Sequence, residues 1–215
     1  MRFLVILLLT GVVFGFACAQ KTESGKTETP AQKGEAPVPA EEATPQGDTA
    51  QKAAQPAEEI KTDNPLVLMQ TNHGDILVEI YAKEMPIHGG NFLKLVDEGF
   101  YDSLTIHRIV PGFVIQGGDP LGTGFGGPPG RLEDEPSPYK HDRGTVAMAR
   151  SQAGASKSQF YINLANNYRL DTMGFAVFAR VVRGMDVVDK IAGLPTGPQD
   201  RPQEPVIMLK VVRQK

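Results

Sequence analysis

The residue types best suited to chemistry lie in the stretch IHRIVPGFVIQGGD, which runs from Ile106 to Asp119. A histidine next to an arginine offers a potential general base beside a fixed positive charge. No serine, threonine or cysteine nearby stands in the setting of an activated nucleophile, and the four histidines of the chain never approach metal-ligand spacing. If this stretch is catalytic, we expect its reaction to proceed without a covalent intermediate, a metal or a cofactor.

His107 and Arg108 lie in an alternating run that predicts a β-strand from Thr105 to Val110. Neighbouring side chains of a strand point to opposite faces, so we expect only one of the two to line a pocket. We therefore assign His107 a packing or hydrogen-bonding role and keep Arg108 as the functional candidate.

Other candidates can join Arg108 only through the fold. In the alternating strand SQFYIN, Gln159 and Tyr161 share one face and Phe160 lies on the other. The full candidate set is Arg108, Phe113, Gln116, Gln159 and Tyr161. These residues predict an aromatic and aliphatic hollow with one guanidinium and a glutamine, which suits a neutral substrate whose reaction develops no full charge.

Two further motifs resemble ligand sites but favour simpler interpretations. The run GTGFGG, residues 122–127, could hold phosphate only if a helix began directly after it, and Pro128-Pro129-Gly130 follows instead. We interpret it as a mobile surface loop. The acidic run Glu133-Asp134-Glu135 is interpreted as a solvated face and not as a metal site.

Period-two apolar runs begin after Asn64-Pro65 and predict the start of a folded domain. LVLMQT and DILVEIY predict a hairpin that turns at Asn72-His73-Gly74. Further strands are predicted at Thr105–Val110, Val114–Gly117, Thr145–Ala149, Gln159–Leu164, Ala176–Val182 and Val206–Val212. Many strands with few helices and no βαβ alternation predict an antiparallel barrel.

Two helices are predicted beside these strands. An apolar stripe at Phe92, Leu95 and Val96 indicates the first helix, with Pro86 in its first turn. Glycines disfavour a helix interior, so Gly89-Gly90 should let that first turn fray. The second helix is predicted at Met185–Ala192.

Composition narrows the possible functions. The 215 residues are 40% hydrophobic and 22% charged, which fits one globular domain plus a less ordered part. A net charge of -3 with scattered basic residues gives no field for nucleic acid. The single cysteine, Cys18, precedes the domain, so neither a disulfide nor a catalytic thiol is expected within it.

Residues 1–19 are predicted to be a signal peptide, since MRFLVILLLTGVVFGFACAQ has one arginine, a short apolar run and small residues at its end. Ordinary cleavage after Ala19 would release a chain that starts at Gln20. A lipoprotein site would instead make Cys18 the lipidated N-terminus. Gly15 argues against this, since an aliphatic residue is usual there. The lone cysteine and the tether that follows favour it.

Residues 20–62 are predicted to be a disordered tether, because they are rich in Ala, Pro and Glu and contain no aromatic residue. Proline and like-charged glutamate should keep this tether extended. The domain is assigned to residues 63–215. We expect the protein to be exported to the periplasm or cell envelope, to be monomeric, and to touch the membrane only through a lipid on Cys18.

Four stretches in order carry a resemblance: NFLKLVDEGFYDSLTIHRIVPGFVIQGGDPLGTGFGG, GTVAMAR, SQFYIN, and RLD followed by GFAVFARVVRGMDVVDKI. With them the chain from about residue 66 to residue 212 resembles the cyclophilins, which are peptidyl-prolyl cis-trans isomerases. The resemblance implies a closed eight-stranded antiparallel β-barrel capped by two α-helices. It also implies rotation of X-Pro bonds in proline-containing unfolded or exported polypeptides.

The resemblance also implies roles for single residues. Arg108 corresponds to the catalytic arginine, Phe113 to the aromatic wall of the proline pocket, and Gln116 to the glutamine that holds the arginine. Ala149 and Arg150 correspond to the segment whose backbone binds the substrate beside proline.

The remaining site positions show how far this sequence departs from the usual pattern. Val114 stands where the family often has methionine and Tyr161 where it usually has phenylalanine, and both keep the pocket apolar. Gln159 and Leu170 match directly, whereas Phe175 replaces a histidine of many relatives.

Two arginines also depart from the usual pattern. Arg150 replaces an asparagine, which is tolerable if the contact there is made by the main chain. Arg169 replaces a tryptophan, so we expect weaker binding of cyclosporin.

The sequence is also compatible with two other function classes. A proline-recognition module or chaperone could use the same pocket with little turnover, but such a module would not need a donor aimed at the amide nitrogen. A barrel that carries a small apolar ligand would need an enclosed lumen. Large residues on both faces of the strands favour a filled barrel instead.

Overall fold

The computed structural model describes residues 60–214, which contain the barrel domain. The predicted signal peptide, Cys18 and nearly all of the predicted tether lie outside this range. The strands are β1 Leu66–Thr71, β2 Gly74–Ile80, β3 Thr105–Val110, β4 Val114–Asp119, β5 Thr145–Ser151, β6 Gly154–Asn163, β7 Val177–Arg183 and β8 Val206–Arg213. The helices are α1 His88–Asp97 and α2 Met185–Ala192, and short 3₁₀ turns lie at Tyr168–Thr172 and Pro198–Asp200.

The strands close into a barrel in the order β1-β2-β7-β5-β6-β4-β3-β8, and every neighbouring pair is antiparallel. The predicted eight-stranded antiparallel barrel with two helices is confirmed. Closure leaves no free strand edge, so the register of each strand is fixed from both sides. No helix within residues 60–214 is long and apolar enough to span a membrane.

Large buried side chains fill the barrel interior, as expected from the large residues on both faces of the strands. Phe92 of α1 packs against the rings of Tyr101, Phe160 and Phe178, with centroid distances of 4.9, 5.6 and 5.2 Å. Tyr101 is fully buried and donates its hydroxyl hydrogen to the carbonyl oxygen of Ser158 at 3.1 Å. The apolar face of α1 therefore covers the core, which positions the strands that carry the site.

The first turn of α1 is hydrogen-bonded, although its two glycines favour fraying. The N–H of Gly89 donates to the carbonyl of Met85 at 2.8 Å. A Cβ at Gly89 would lie 3.3 Å from Ile80 Cγ2 and 3.4 Å from Ala82 Cα. A glycine here lets the helix approach β2 closely, and this packing offsets its low helix propensity.

The acidic run is only partly solvated, so that interpretation was wrong for Glu135. Its two carboxylate oxygens accept hydrogen bonds from the N–H groups of Ile87 and His88 at 2.9 and 2.8 Å. These are among the donors that a helix N-terminus leaves without partners, and a negative charge there also favours the helix dipole. Glu135 therefore holds the start of α1, while Asp134 pairs with Arg150.

The pairing of β3 with β4 contains an extra residue on β3. Ile106 pairs with Gly117 and Arg108 pairs with Gln116, so His107 has no partner and forms a β-bulge. The bulge breaks the strict alternation assumed from the sequence. His107 and Arg108 both border one cavity, and the expectation that only one of them could line a pocket was wrong.

A second irregularity on β4 compensates for the first. Thr105 pairs with Asp119, which leaves Gly118 as the extra residue with a φ of 82°. A Cβ at Gly118 would lie 2.3 Å from the carbonyl oxygen of Ser158. Only glycine combines this left-handed backbone with such a close approach, so Gly118 restores the register beyond the site.

Replacing Glu135 by alanine should lower the free energy of unfolding by about 1 to 2 kcal/mol, because two helix N–H groups lose their acceptor. Glu133→Ala is the matched control, since its exposed side chain makes no hydrogen bond in the described structure. Its effect should stay within about 0.5 kcal/mol. Urea unfolding of both variants measures the difference, and equal values for the two would contradict the capping role.

Candidate active site

One apolar cavity of about 160 Å³ gathers nearly all of the residues that the sequence nominated. Its lining consists of Arg108, Phe113, Val114, Gln116, Ala149, Arg150, Tyr161, Leu170 and Phe175. Of the nominated residues within the barrel domain, only Gln159 lies outside this lining. The positions agree with the prediction, and the role of each residue remains a prediction.

Neighbouring strands place the central side chains in one row. Arg108 on β3 pairs with Gln116 on β4, and Gln116 pairs with Tyr161 on β6. Side chains directly opposite one another across strands project from the same face, so the row forms one wall of the cavity. The turn after β3 supplies Phe113, and the 3₁₀ turn Tyr168–Thr172 supplies Leu170.

The remaining walls are apolar. Val114 and Leu170 are buried, and the rings of Tyr161 and Phe175 meet edge to face with centroids 5.9 Å apart. The cavity thus has aromatic and aliphatic surfaces with the Arg108 guanidinium at its rim. Such an arrangement can bind a small apolar ring and aim a charged donor at a group attached to that ring.

Gln116 does not hold Arg108 through a hydrogen bond in this structure, although the resemblance assigned it that role. Its Nε2 donates to Oε1 of Gln159 at 3.0 Å. Gln159 in turn donates to the carbonyl oxygens of Gly124 and Gly126 at 3.0 and 2.8 Å. The two glutamines therefore connect the cavity wall to the glycine-rich loop, and Gln159 borders a neighbouring cavity of about 260 Å³.

The loop of residues 122–127 lies at the surface but is attached to the site at both ends. Asp119 accepts hydrogen bonds from the N–H groups of Leu121, Thr123 and Gly124 at 2.8, 2.9 and 2.5 Å. Burial alone would raise the pKa of Asp119, but these donors and the N–H of Gly126 lower it below its usual value. The carboxylate occupies the donors that a phosphate would need, which agrees with the rejection of a phosphate loop.

The sequence of the barrel domain matches a known protein family. Residues 66–213 match the family model described as cyclophilin type peptidyl-prolyl cis-trans isomerase/CLD. The chain belongs to the cyclophilins. The peptidyl-prolyl cis-trans isomerase activity expected from the resemblance is confirmed by this membership and by the names of the relatives.

The relatives span the whole barrel domain. Peptidyl-prolyl cis-trans isomerase B of Escherichia coli (strain K12) is 42% identical over 167 residues, covering 68% of this chain and 98% of that protein. Peptidyl-prolyl cis-trans isomerase ppi1 of Schizosaccharomyces pombe is 40% identical over 151 residues, covering 68% and 97%. Both proteins are little longer than the barrel.

Two solved structures of one relative have the same fold. A crystal structure of a cyclophilin type isomerase from Cryptosporidium parvum aligns with a TM-score of 0.65 and 29% identity, covering 71% of this chain and 98% of that one. A second structure of that protein, in the presence of the dipeptide Ala-Pro, has a TM-score of 0.63 and 30% identity, covering 70% and 99%.

Tyr161 carries a hydroxyl that this cyclophilin directs away from the cavity. The hydroxyl lies 2.9 Å from Nε2 of His141, and Nδ1 of His141 lies 2.6 Å from Oδ1 of Asp171. This geometry fits Nδ1–H donating to the carboxylate while Nε2 accepts from the tyrosine. Burial raises the pKa of Tyr161, so the hydroxyl stays protonated. Sequence spacing could not reveal this partner of Tyr161.

The arginines around the cavity have distinct partners. Arg108 donates from Nε to Oδ2 of Asp200 at 3.3 Å, and Arg150 pairs with Asp134 and with the carbonyl of Gly174. The guanidinium of Arg150 is thus held at the rim by groups outside the cavity. This agrees with a substrate contact made by the main chain at that position.

Arg169, which stands in the place of a tryptophan, contacts the cavity wall from outside. Its guanidinium carbon lies 5.3 Å from the ring centroid of Phe113. A cation at this distance over an aromatic ring is attracted by the negative face of the ring. Arg169 therefore supports Phe113 without lining the cavity.

Neither a general base nor a metal site borders the apolar cavity. His107 is buried away from it, and both ring nitrogens lack a hydrogen-bond partner within the described residues. Burial lowers the pKa of His107, so its imidazole is neutral near pH 7. Within residues 60–214 no three His, Cys, Asp or Glu side chains come together as metal ligands.

Replacing Tyr161 by phenylalanine should reduce stability while leaving catalysis nearly intact. The change leaves Nε2 of His141 buried without a partner, which should cost about 1 to 3 kcal/mol of unfolding free energy. The ring that faces the cavity is retained, so kcat/KM should stay near the wild-type value. Thermal unfolding and a peptide isomerisation assay measure the two effects. A large loss of kcat/KM with unchanged stability would show that the hydroxyl acts on the substrate instead.

Proposed function

We propose that this cyclophilin is an exported, monomeric isomerase that accelerates X-Pro bond rotation in polypeptides of the periplasm or cell envelope and so assists their folding. The observation that carries the catalytic part is the Arg108 guanidinium at the rim of an apolar cavity. Uncatalysed X-Pro isomerisation takes roughly tens to hundreds of seconds and can limit folding. An exported isomerase would remove that limit for proteins that fold after transport.

The cavity is suited to a proline side chain. Its volume of about 160 Å³ and its walls of Phe113, Tyr161, Leu170 and Phe175 fit a small saturated ring. The Cryptosporidium parvum relative was crystallised in the presence of Ala-Pro, which supports the same type of ligand for this chain. With the ring held in the cavity, the amide nitrogen of proline lies at the rim, within the region that Arg108 borders.

Arg108 can lower the rotation barrier by stabilising the twisted amide. The planar amide is favoured because the nitrogen lone pair is delocalised into the carbonyl, and rotation faces a barrier of ~18 to 20 kcal/mol. Twisting localises the lone pair on nitrogen, where it can accept a hydrogen bond from the guanidinium. The donor thus binds the transition state more strongly than the planar ground state, which is the requirement for catalysis.

The apolar walls make this interaction effective. They exclude water from one side of the amide, and an electrostatic interaction is stronger where the local dielectric is low. They also hold the proline ring still while the preceding carbonyl rotates. No covalent bond is made or broken, so the reaction needs neither a nucleophile nor a cofactor.

Replacing Arg108 by alanine should lower kcat/KM for an X-Pro peptide by about a hundredfold or more, as for loss of a directed donor in other active sites. Arg213→Ala is the matched control, since Arg213 pairs with Asp97 on the surface away from the cavity and should leave activity unchanged. Exchange of the cis and trans peptide signals, followed by NMR, measures the rates. Peptide binding without acceleration in the wild type would instead support a proline-recognition module.

Replacing Cys18 by serine should release the protein from the membrane fraction, if Cys18 is the lipidated N-terminus. The wild type should remain with membranes after washing in high salt, because a lipid anchor is hydrophobic and does not depend on charge. Mass spectrometry of the N-terminal peptide should show a lipid on Cys18. A mature chain that begins at Gln20 would contradict the lipid anchor and still agree with export.

A further inference from the structure

Asp200 accepts a hydrogen bond from Nε of the Arg108 guanidinium. Within residues 60–214 it is the only side chain that accepts a hydrogen bond from Arg108, with Oδ2 at 3.3 Å from Nε. Gln116 lies opposite Arg108 on β4, but its Nε2 donates to Gln159 and not to Asp200 or Arg108. A guanidinium is planar, so an acceptor at Nε sets the direction of the two terminal amino groups. The direction in which the terminal N–H groups of Arg108 point therefore depends on Asp200.

Asp200 contacts Arg108 from outside the substrate cavity. Arg108 borders both the apolar cavity and a neighbouring cavity of about 410 Å³, whereas Asp200 borders only the second. The carboxylate therefore does not line the space assigned to the proline ring. We therefore expect Asp200 to affect the reaction through the arginine.

The backbone that presents Asp200 is held in an unfavourable conformation. Gln199 and Asp200 have φ values of 63° and 58°, in the left-handed region that residues other than glycine rarely adopt. The ring of Pro198 fixes its own φ, and the N–H of Gly197 donates to the carbonyl of Arg201 at 2.7 Å. Strained backbone persists where the surroundings over-determine it, and it is found preferentially at functional sites.

We propose that Asp200 is a positioning residue for the isomerase reaction: it holds Arg108 by its Nε so that the terminal amino groups address the prolyl nitrogen. This inference rests on the proposed role of Arg108. Asp200 touches neither the peptide nor the amide, and no proton is transferred. In this chain the turn Pro198–Asp200 holds the arginine, whereas the resemblance assigned that role to Gln116.

Asp200→Gly tests this role without straining the turn, because glycine adopts a φ of 58° at no steric cost. We expect the variant to be at least as stable as the wild type. Its kcat should fall about tenfold with KM nearly unchanged, since ångström-scale misplacement of a catalytic group costs up to about a hundredfold. Asp200→Asn should keep most of the wild-type kcat, because asparagine tolerates the same backbone and retains an oxygen acceptor.

Gln199→Gly is the matched control, since it relieves the same type of strain at the neighbouring residue and leaves the contact with Arg108 in place. Its kcat should equal that of the wild type. A fall in kcat equal to that of Asp200→Gly would show that the rigidity of the turn matters and would overturn the proposal.

A double-mutant cycle with Arg108→Ala separates positioning from a general effect. In the Arg108→Ala background, Asp200→Gly should cause no further loss of activity. An equal fractional loss in both backgrounds, or a wild-type kcat for Asp200→Gly, would overturn the positioning role alone. Full activity of Arg108→Ala would overturn the proposed mechanism and this inference together.

Discussion

The extra residue in β3 determines where the Arg108 guanidinium can lie. His107 takes a position without a partner in β4, and Arg108 returns to register opposite Gln116. From there the row continues to Tyr161 on β6. Because the barrel is closed, neither β3 nor β4 can slip to remove the bulge without disturbing pairing on its other side. The position of one guanidinium at the cavity rim is therefore a property of the whole barrel.

The polar groups around the cavity are arranged so that its interior remains apolar. Gln116 and Gln159 satisfy each other and the carbonyls of the glycine-rich loop, and the hydroxyl of Tyr161 is directed to His141. Arg150 is held outward by Asp134. Buried polar groups without partners are costly, so the contacts of Gln159 and Tyr161 contribute to stability as well as to the shape of the pocket. The exposed pair of Arg150 and Asp134 affects mainly the direction of the arginine side chain. The Arg108 guanidinium lies at the rim of the cavity, where we propose that the amide twists.

The sequence predicted the parts that depend on local pattern. Alternation located the strands, and the motifs that resemble the cyclophilins identified the residues that line the cavity. It failed where a residue depends on a partner distant in the chain. The cap on α1 by Glu135 and the contact of Asp200 with Arg108 join segments 48 and 92 positions apart, and no spacing rule encodes them. The bulge at His107 lies between adjacent strands and was missed because the alternation rule assumes one residue opposite one residue. The close packing of Gly89 against β2 was not predicted either, because helix propensity does not include packing.

The central claim is that catalysis requires a directed guanidinium and not simply a positive charge. Its most direct test is the cis/trans exchange rate of an Ala-Pro peptide bound at saturating concentrations of the wild type and of Arg108→Lys, measured by NMR. Lysine keeps the charge but lacks the planar fork and the Nε donor that Asp200 holds. We predict that the bound peptide exchanges much faster than free peptide on the wild type and close to the free rate on Arg108→Lys. Equal fast exchange on both proteins would contradict the claim, since a point charge at the rim would then suffice.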